Sequence, residues 1–529
     1  MLIFGKKVEI SGNNSTFSCS GSAVCLSGCG GYKVLFVHDI GTKSHLIQLY
    51  PIVEKLLDSG HQVTTIFFSE GDIKHENYTE IVVKNVFEKH MSEFTKVLMN
   101  RESQNAVINT LKLMRFTLEA WSEVLEESAQ LYWTSPEINS LMTTGRQFDA
   151  VITSFQHHSL LAEIFNSSLI MFSPAGPIPW LLTDTGNPIN LSIQPLVTAS
   201  FIEPMTFVER LKNHFENCVR SFSWGYVTYK LFEARADKMG VRASYEEVFA
   251  RRFSLYLSNH HPVTHGSWPY LPNIIEVGGL TLKDPKVLPS DLKSFLDSAS
   301  KGAVLVGFGS TLKPSQMPPE KLDILLEVFT SLSDYSFVWK WDGEVRDVPS
   351  NVMMSSWLPQ QDLLAHQNLR AFVTHGGLGG ISEAIYHKVR LVGIPFGNDQ
   401  VANMERVARH GYGKLLVWET ITAEDLKLAI REAMESEAML AALERVHSLY
   451  TDREVGPVSR AVWWIEYVSR HGGASVLQSG VTGVPWYQYH HLDLLLALTI
   501  ILLTVGLCLS LLCSLCCRYC RNGRKVKRD

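Results

Sequence analysis

Short apolar runs rich in β-branched and aromatic residues alternate with longer amphipathic stretches along the chain. The first series comprises KVLFV (33–37), VTTIFF (63–68), AVITS (150–154), SLIMFS (168–173), FSLYLSN (253–259) and NIIEVGG (273–279). The second, between residues 302 and 418, comprises GAVLVGFGS, SFVWKW, NVMMSSW, RAFVTHGG, RLVGIPF and GKLLVW. Runs of this kind, separated by helical patterns, predict an α/β fold with parallel sheets covered by helices on both faces.

A polar stretch with two prolines, TLKDPKVLPSD (281–291), separates the two series and suits an interdomain linker. Because 529 residues are too many for one ordinary core, we expect two Rossmann-like domains, at residues 31–285 and 286–455. Ligands of such pairs bind in the cleft between them, at the carboxyl ends of the strands. The segment 456–491 predicts a packing helix, with Val462, Trp463 and Ile465 among its apolar anchors, and an approach to a membrane.

The C-terminus has the pattern of a transmembrane helix, predicted at residues 492–517. The 24 residues from Leu494 to Cys517 carry no charge. A helix of that length spans about 36 Å, enough for a hydrocarbon core of about 30 Å. The tail, residues 518–529, contains six Lys or Arg against one Asp. The positive-inside rule therefore predicts a cytosolic tail and a single-pass, type I orientation.

The net charge, the cysteine content and the N-terminal segment each limit what can be expected of this protein. A net charge of −5 gives no sign of nucleic-acid binding. The large domain has one cysteine, Cys218, so it has no internal disulfide and its core must supply its stability. Residues 1–30 contain no apolar run of signal-peptide length. The sequence leaves homo- or hetero-oligomer formation open.

A glycine-rich turn, THGGLGGISEAIYHK (374–388), follows the fourth apolar run of the second series and precedes a helical pattern. Glycines let backbone approach an anion, and the amides of a helix N-terminus point toward it. His375 adds a side-chain donor at the same place. This turn predicts an anion-binding site, although tight packing alone explains glycines of this kind.

The wider context of this turn resembles the signature of the UDP-glycosyltransferases, in the membrane-bound animal type. The turn is preceded by SSWLPQQDLLAH and followed by LVGIPFGNDQVAN. The similarity runs from about Lys33 to the C-terminal tail and includes EVGGL (276–280), WKWDGE (339–344) and WYQYHHLD before the membrane segment. The resemblance implies a GT-B architecture, with an acceptor-binding N-terminal domain and a UDP-sugar-binding C-terminal domain.

The resemblance also implies roles for individual residues of the second domain. Trp357 would stack on uracil, Gln360 would bind its edge, and Glu383 would accept from the ribose hydroxyls. Asp399 and Gln400 would bind hydroxyls of the transferred sugar. The diphosphate would be held by the residues Ser310, His375, Gly377, Gly379 and Gly380.

In the first domain, His45 of HDIGTKSH matches the family's catalytic histidine. It would take the proton of the acceptor hydroxyl as that oxygen attacks the anomeric carbon opposite UDP, with inversion. His38 lies nearby, at a strand end where the family shows no catalytic histidine. The acceptor would be a small lipophilic molecule, bound by loops near residues 85–125 and 175–225.

Three positions depart from the family pattern. The position of the Asp that orients the catalytic histidine is Ser154, which cannot offset the imidazolium charge. Asp149, His157, His158 and Glu163 are alternatives within the same segment, with Asp149 disfavoured by its place at the strand start. Gly379 stands where Asn is common, and Arg390, expected to shape a loop, stands where proline is common.

The resemblance implies an inverting, metal-independent hexosyltransferase that needs no cofactor and uses UDP-glucose or UDP-glucuronic acid as co-substrate. The final KVKRD resembles a dilysine retrieval signal and indicates the endoplasmic reticulum membrane, with the large domain luminal. The alternative is a catalytically weak or inactive relative that binds UDP-sugar and acts as a partner or regulator. A nucleotide-dependent dehydrogenase is disfavoured because no G-x-G-x-x-G follows the first strand.

Overall fold

The computed structural model describes residues 31–87, 90, 118–119, 122–309, 314–345, 347–480, 484–489 and 491–525. Two parallel sheets organise them. The first has the strands β1 (Lys33–His38), β2 (Gln62–Phe67), β3 (Tyr78–Val82), β4 (Ala150–Thr153), β5 (Ser168–Ser173), β6 (Phe253–Ser258) and β7 (Ile274–Glu276). The second has β8 (Ala303–Gly307), β9 (Ser336–Lys340), β10 (Val352–Ser355), β11 (Leu369–Thr374), β12 (Arg390–Gly393) and β13 (Gly413–Leu415).

Helices connect the strands and cover the sheets. Those of the first half are α1 (Lys43–Leu46), α2 (Tyr50–Asp58), α3 (Ser122–Thr134), α4 (Pro136–Thr143), α5 (Ser159–Ile164), α6 (Pro179–Asp184), α7 (Phe207–Met239), α8 (Tyr245–Arg252) and α9 (Pro262–His265). The remainder are α10 (Ser290–Asp297), α11 (Pro319–Ser331), α12 (Gln360–Leu364), α13 (Leu378–His387), α14 (Gln400–Arg409), α15 (Ala423–Glu435), α16 (Glu437–Thr451), α17 (Pro457–His471), α18 (Trp486–Tyr489) and α19 (Leu492–Lys525). Short 3₁₀ turns lie at Gln156–His158, Pro314–Gln316 and Ser475–Leu477.

The predicted pair of parallel sheets is confirmed, and every apolar run of both series forms a strand. The central strands are buried on both faces, as in β5, where all six residues are buried. This explains their nearly continuous apolar sequences. Strand β3 was not predicted, because it lies at the sheet edge, only Ile81 of its residues is buried, and its sequence YTEIV carries polar residues.

The strand orders are β3-β2-β1-β4-β5-β6-β7 and β10-β9-β8-β11-β12-β13. In each sheet the direction of strand addition reverses beside the first strand, between β1 and β4 and between β8 and β11. Ligands of doubly wound sheets bind in the crevice that this reversal opens at the carboxyl ends of the strands. The loops after β1, β4, β8 and β11 are therefore the places to look for chemistry.

The two halves of the molecule are joined by specific contacts. The predicted linker lies against α12, where the amide N–H of Lys283 donates to Gln361 Oε1 at 2.7 Å. Elsewhere, Arg406 on α14 pairs with Glu203 at 3.0 Å. These contacts hold the second half against the first.

Helix α17 crosses back to the first half of the molecule. Its residues Val462, Ile465 and Val468 belong to the same buried cluster as the inner residues of β1 and α2. Trp463, expected as an anchor, is instead 49% exposed and stacks on Tyr467 with ring centroids 5.5 Å apart. The helical period places Trp463 on the outer face of the helix, so that prediction was wrong.

Helix α19 contains a segment, Leu492–Tyr519, that is long and apolar enough to cross a membrane. None of its most apolar window is buried inside the protein. Exposing this many leucine side chains to water would cost a large free energy, about 25 cal/mol per Å² of apolar surface. The segment matches the helix predicted at residues 492–517.

Candidate active site

His375 lies at the crevice of the second sheet, directly after β11. A Cβ on Gly377 would lie 2.5 Å from His375 Nε2, and a Cβ on Gly309, which has φ +81°, would lie 2.7 Å from Cε1. The imidazole therefore fits only between two glycines from two loops. Its Nδ1 is buried without a hydrogen-bond partner in the described part of the chain. Burial, assisted by the charge of Lys340, lowers the pKa of His375 to about 4.

Gln360 and Glu383 lie together beside this turn. The Gln360 amide nitrogen donates to Glu383 Oε2 at 2.7 Å. Burial raises the pKa of Glu383 to about 7, even though the Gln360 contact favours the carboxylate. Gly380 lies beneath this pair, because a Cβ there would lie 3.6 Å from Gln360 Nε2. Two side chains expected to bind one nucleoside are thus within hydrogen-bond distance of each other.

Trp357 and Gly379 are both exposed. Trp357 is 69% exposed, held in its loop by a hydrogen bond from Ser355 Oγ to its carbonyl oxygen at 2.7 Å. An indole left in solvent is not a core residue, and its face is free for stacking. Gly379 lies in the first turn of α13, and no atom lies within 4 Å of the position of a Cβ.

Asp399 and Gln400 begin α14, after β12. Asn403 connects them to the turn at residue 376, donating to the Gly376 carbonyl at 3.1 Å and to Asp399 Oδ2 at 2.8 Å. Gln400 Oε1 accepts from the amides of Phe396 and Gly397. Burial raises the pKa of Asp399 to about 6. Ser310, the other predicted residue of this half, lies outside the described residues.

In the first half, His38 ends β1 and Ser154 follows β4, so the two face each other across the crevice of the first sheet. His38 Nδ1 lies 3.0 Å from Ser154 Oγ. From the sequence, Ser154 is the position considered for the partner of His45; in the structure its hydroxyl contacts His38. His45 lies on α1, its ring 6.5 Å from that of His38, and burial lowers the pKa of His45 to about 4.

The two acids that the sequence offered as alternative partners for the catalytic histidine lie away from the imidazoles. Asp149 Oδ2 accepts from the Lys33 amide at the opposite end of the strands, and Glu163 pairs with Arg251 and Arg252. The acid near the imidazoles is Asp39, which is 2% exposed. Burial by itself raises the pKa of Asp39, but His158 and Arg235 hold it below the ordinary value.

Arg390, expected to shape a loop, begins β12 and is 5% exposed. Its guanidinium donates to the carbonyls of Arg370, Met434 and Ser436 at 3.1–3.4 Å. The last two carbonyls belong to the end of α15, where backbone acceptors lack helical partners. Arg390 is therefore a buried helix cap, and the expected loop role is wrong.

The chain as a whole matches the sequence model of a known family. That family is described as "UDP-glucoronosyl and UDP-glucosyl transferase", and the match covers residues 33–528. The chain belongs to the UDP-glycosyltransferase family. Relatives include UDP-glycosyltransferase UGT5 of Dactylopius coccus, 30% identical over 90% of each chain, and UDP-glucuronosyltransferase 2B1 of Rattus norvegicus, 29% identical over 92% of this chain and 94% of that one.

Solved structures of other glycosyltransferases share the fold of this UDP-glycosyltransferase. CalG4, the calicheamicin glycosyltransferase, superposes with a TM-score of 0.56 at 18% identity, over 83% of this chain and 98% of that one. A UDP-glucosyltransferase from Polygonum tinctorium superposes with a TM-score of 0.54 at 17% identity, over 83% of this chain. The predicted GT-B architecture is confirmed.

One cation near the glycine-rich turn of this UDP-glycosyltransferase was not identified from the sequence. Lys340 ends β9, and its Nζ donates to the Gly309 carbonyl at 3.0 Å. Burial lowers the pKa of Lys340, and its charge acts on His375. Its place at a strand end, in the WKWDGE segment, was the available signal. Within the described residues, no group of three or more His, Cys, Asp or Glu side chains is arranged to hold a metal ion.

Proposed function

We propose that this UDP-glycosyltransferase moves a hexose or hexuronic acid from a UDP-sugar to a hydroxyl of a small lipophilic acceptor, with inversion at the anomeric carbon. UDP-glucose and UDP-glucuronic acid are the proposed donors. The observation that carries the proposal is the arrangement around α13. There, His375 lies between its glycines, Gln360 and Glu383 are hydrogen-bonded beside the turn, and exposed Trp357 precedes Gln360 by three residues.

Each group in this crevice has a role that its chemistry supports. Trp357 stacks on the uracil, Gln360 contacts its edge, and the Glu383 carboxylate accepts from the ribose hydroxyls. The diphosphate binds His375, Ser310 and the amides at Gly377, Gly379 and Gly380. Asp399, which carries a carboxylate, and Gln400, which carries an amide, bind hydroxyls of the sugar.

His45 is the proposed general base of the reaction. Its low pKa, about 4, keeps the imidazole neutral at physiological pH and able to accept the proton of the acceptor hydroxyl. General-base assistance of this kind contributes about 10²- to 10⁴-fold. The acceptor pocket then lies beside α1, in the first half, while much of the expected loop at 85–125 lies outside the described residues.

The negative charge that develops on the leaving UDP is stabilised by the chain's own groups, so we propose a reaction without a metal or other cofactor. The amides at the start of α13 point to the crevice with about half a positive charge. His375 donates a hydrogen bond, and Lys340 supplies a full charge close by. Preorganised donors of this kind stabilise charge without reorganisation at the moment of reaction.

The proposed location is the endoplasmic reticulum membrane, in a single-pass, type I orientation with the large domain luminal. The apolar segment Leu492–Tyr519 and the basic tail after it support this orientation. The KVKRD terminus supports retention in the endoplasmic reticulum.

UDP release from membranes that contain the full chain tests the reaction. UDP-glucose or UDP-glucuronic acid is supplied with a panel of phenols, and His45→Ala serves as the matched variant. We expect turnover in the wild type and turnover at background, with UDP binding unchanged, in His45→Ala. UDP binding without turnover in both proteins would overturn the transferase proposal.

A second candidate function, UDP-sugar binding with weak or no catalysis, is favoured by one observation. Ser154 occupies the place of the expected orienting carboxylate, and its hydroxyl contacts His38 and not His45. In this case the chain would act as a partner or regulator of a related membrane enzyme. The UDP-release experiment separates the two functions.

A further inference from the structure

His38 is a buried imidazole with one nitrogen engaged and one free. It is 1% exposed and lies between the rings of Phe68 and Phe155. Its Nδ1 contacts Ser154 Oγ at 3.0 Å. Its Nε2 is buried with no partner among the described residues. Leaving such an atom unpaired costs about 1–3 kcal/mol, so a function for it is worth seeking.

The free nitrogen borders the same space as His45. A Cβ on Gly41, which has φ +136°, would lie 3.3 Å from His38 Nε2 and 4.0 Å from His45 Nδ1. The ring centroids are 6.5 Å apart, at an interplanar angle of 66°. At this centroid separation the rings are too far apart for a direct N–H···N bond, so a link between them requires a bridging water. The absent side chain of Gly41 keeps this space open between the imidazoles.

The charged groups around His38 keep it a neutral acceptor. Burial, with the neighbouring His45 and His158, lowers the pKa of His38 to about 3, against the opposing effect of Asp39. Asp39 Oδ2 in turn lies 3.4 Å from His158 Nε2 and accepts from Ser128 Oγ at 3.2 Å. Arg235, from α7, also acts on Asp39. A neutral imidazole has one donor and one acceptor nitrogen, so a donor at Nδ1 makes Nε2 the acceptor.

We propose that His38 is the positioning residue of His45: His38 Nδ1–H donates to Ser154 Oγ, and His38 Nε2 accepts, through one water, the Nδ1–H of His45. We call this chain of hydrogen bonds from His45 through water and His38 to Ser154 the relay, although no proton travels along it. It fixes His45 in the tautomer whose Nε2 is free to act as base. It rests on the proposed transferase function and explains how catalysis proceeds without an aspartate at position 154.

The chemical step needs no further group. The acceptor O–H proton moves to His45 Nε2 while its oxygen forms the new bond to the anomeric carbon. The bond from that carbon to the UDP oxygen breaks, and its electron pair leaves with UDP. The imidazolium on His45 is stabilised by its hydrogen bond toward His38, and no proton moves beyond His45.

The variant His38→Phe keeps a ring of similar shape and removes both hydrogen bonds. Its matched control is His265→Phe, because His265 is also buried, its Nδ1 also contacts a hydroxyl (Thr264 Oγ1, 2.9 Å), and its Nε2 is also without a partner in the described residues. We expect His38→Phe to lower kcat on the order of 10-fold or more, a fraction of what a general base contributes, with KM nearly unchanged. Equal losses in both variants would indicate a structural role and overturn the proposal.

The variant Ser154→Asp tests the direction of the relay. A carboxylate on His38 Nδ1 makes Nε2 a stronger acceptor, so kcat should rise and the acidic limb of the pH–rate profile should move to higher pH. Both changes should disappear when Ser154→Asp is combined with His38→Phe. The same gain with and without His38 would mean that the introduced carboxylate acts directly on His45, and the relay would be wrong.

A measurement that does not depend on catalytic turnover tests this proposal separately from the transferase function. Diethyl pyrocarbonate labels neutral imidazole nitrogens, and peptide mass spectrometry reads the labelling rate of His45 in the full chain at pH 7. A hydrogen bond from Nδ1–H makes Nε2 more nucleophilic, so the rate should fall in His38→Phe and not in His265→Phe. An unchanged rate in His38→Phe overturns the relay even if the chain proves inactive.

Discussion

The Gln360 side chain donates a 2.7 Å hydrogen bond to the Glu383 carboxylate, 23 residues further along the chain. The contact joins the first residue of α12 to the middle of α13, at the edge of the crevice of the second sheet. Glu383 remains difficult to ionise there, since burial raises its pKa to about 7. Ionising this buried carboxyl lowers the free energy of unfolding, and a ligand that binds the folded protein can offset that loss.

Glu383→Gln should raise stability and weaken donor binding. The folded pKa of Glu383 lies above the model-peptide value of 4.5, so the folded state holds a proton that the unfolded chain has lost. Wild-type stability therefore falls as pH rises from about 4.5 to 7. We expect Glu383→Gln to gain on the order of 1 kcal/mol at pH 8 and nothing near pH 4.5. Chemical denaturation at both pH values, with calorimetric titration of UDP, checks this; equal gains at both pH values would contradict it.

Gly379→Asn should tighten UDP-sugar binding. Nothing lies within 4 Å of a Cβ at this position, so the side chain fits without strain and can donate to the diphosphate. A hydrogen bond to a charged group contributes about 1.5–3 kcal/mol, which corresponds to about 10-fold or more in Kd. Gly377→Asn is the matched control, because its Cβ would lie 2.5 Å from His375 Nε2 and should weaken binding. Unchanged or weaker affinity in Gly379→Asn counts against the missing contact.

Lys340→Met should impair the use of the donor more than the stability of the fold. The ammonium lies at the strand end beside Gly309 and His375, where the diphosphate is proposed to bind. We expect kcat/KM for UDP-sugar to fall about 10- to 100-fold and UDP binding to become less sensitive to salt. Lys301→Met serves as the control, since Lys301 pairs with Asp334 on an exposed surface. Similar kinetics for both variants would remove Lys340 from the site.

Arg390→Met should destabilise the protein and leave its kinetics intact. The guanidinium donates to three carbonyls, and loss of a buried donor leaves those acceptors unpaired. We expect the free energy of unfolding to fall by about 1–3 kcal/mol, with KM for UDP-sugar unchanged. Arg370→Met, at an exposed position of β11, should have little effect. A large change in KM would place Arg390 in the ligand site after all.

The second half of the molecule was more predictable from sequence than the first. Trp357 and Gln360 follow β10, and His375 and the helix that carries Glu383 follow β11, so the carboxyl ends of two strands bring them to one edge of the sheet. Lys340 was missed because a lysine at a strand end is usually solvated, and only its contact with Gly309 shows otherwise.

The amino-acid sequence by itself determined the two parallel sheets, the glycine-rich turn and the apolar C-terminal helix, because each depends on patterns within a few tens of residues. Only the tertiary structure decided which histidine meets Ser154. That contact joins residues 116 positions apart, and it depends on the pairing of β1 with β4 and on side-chain packing at the crevice. The same holds for Arg390, whose role became visible only with the end of α15 beside it. Hydrogen bonds over such distances follow from packing geometry, which no local pattern records.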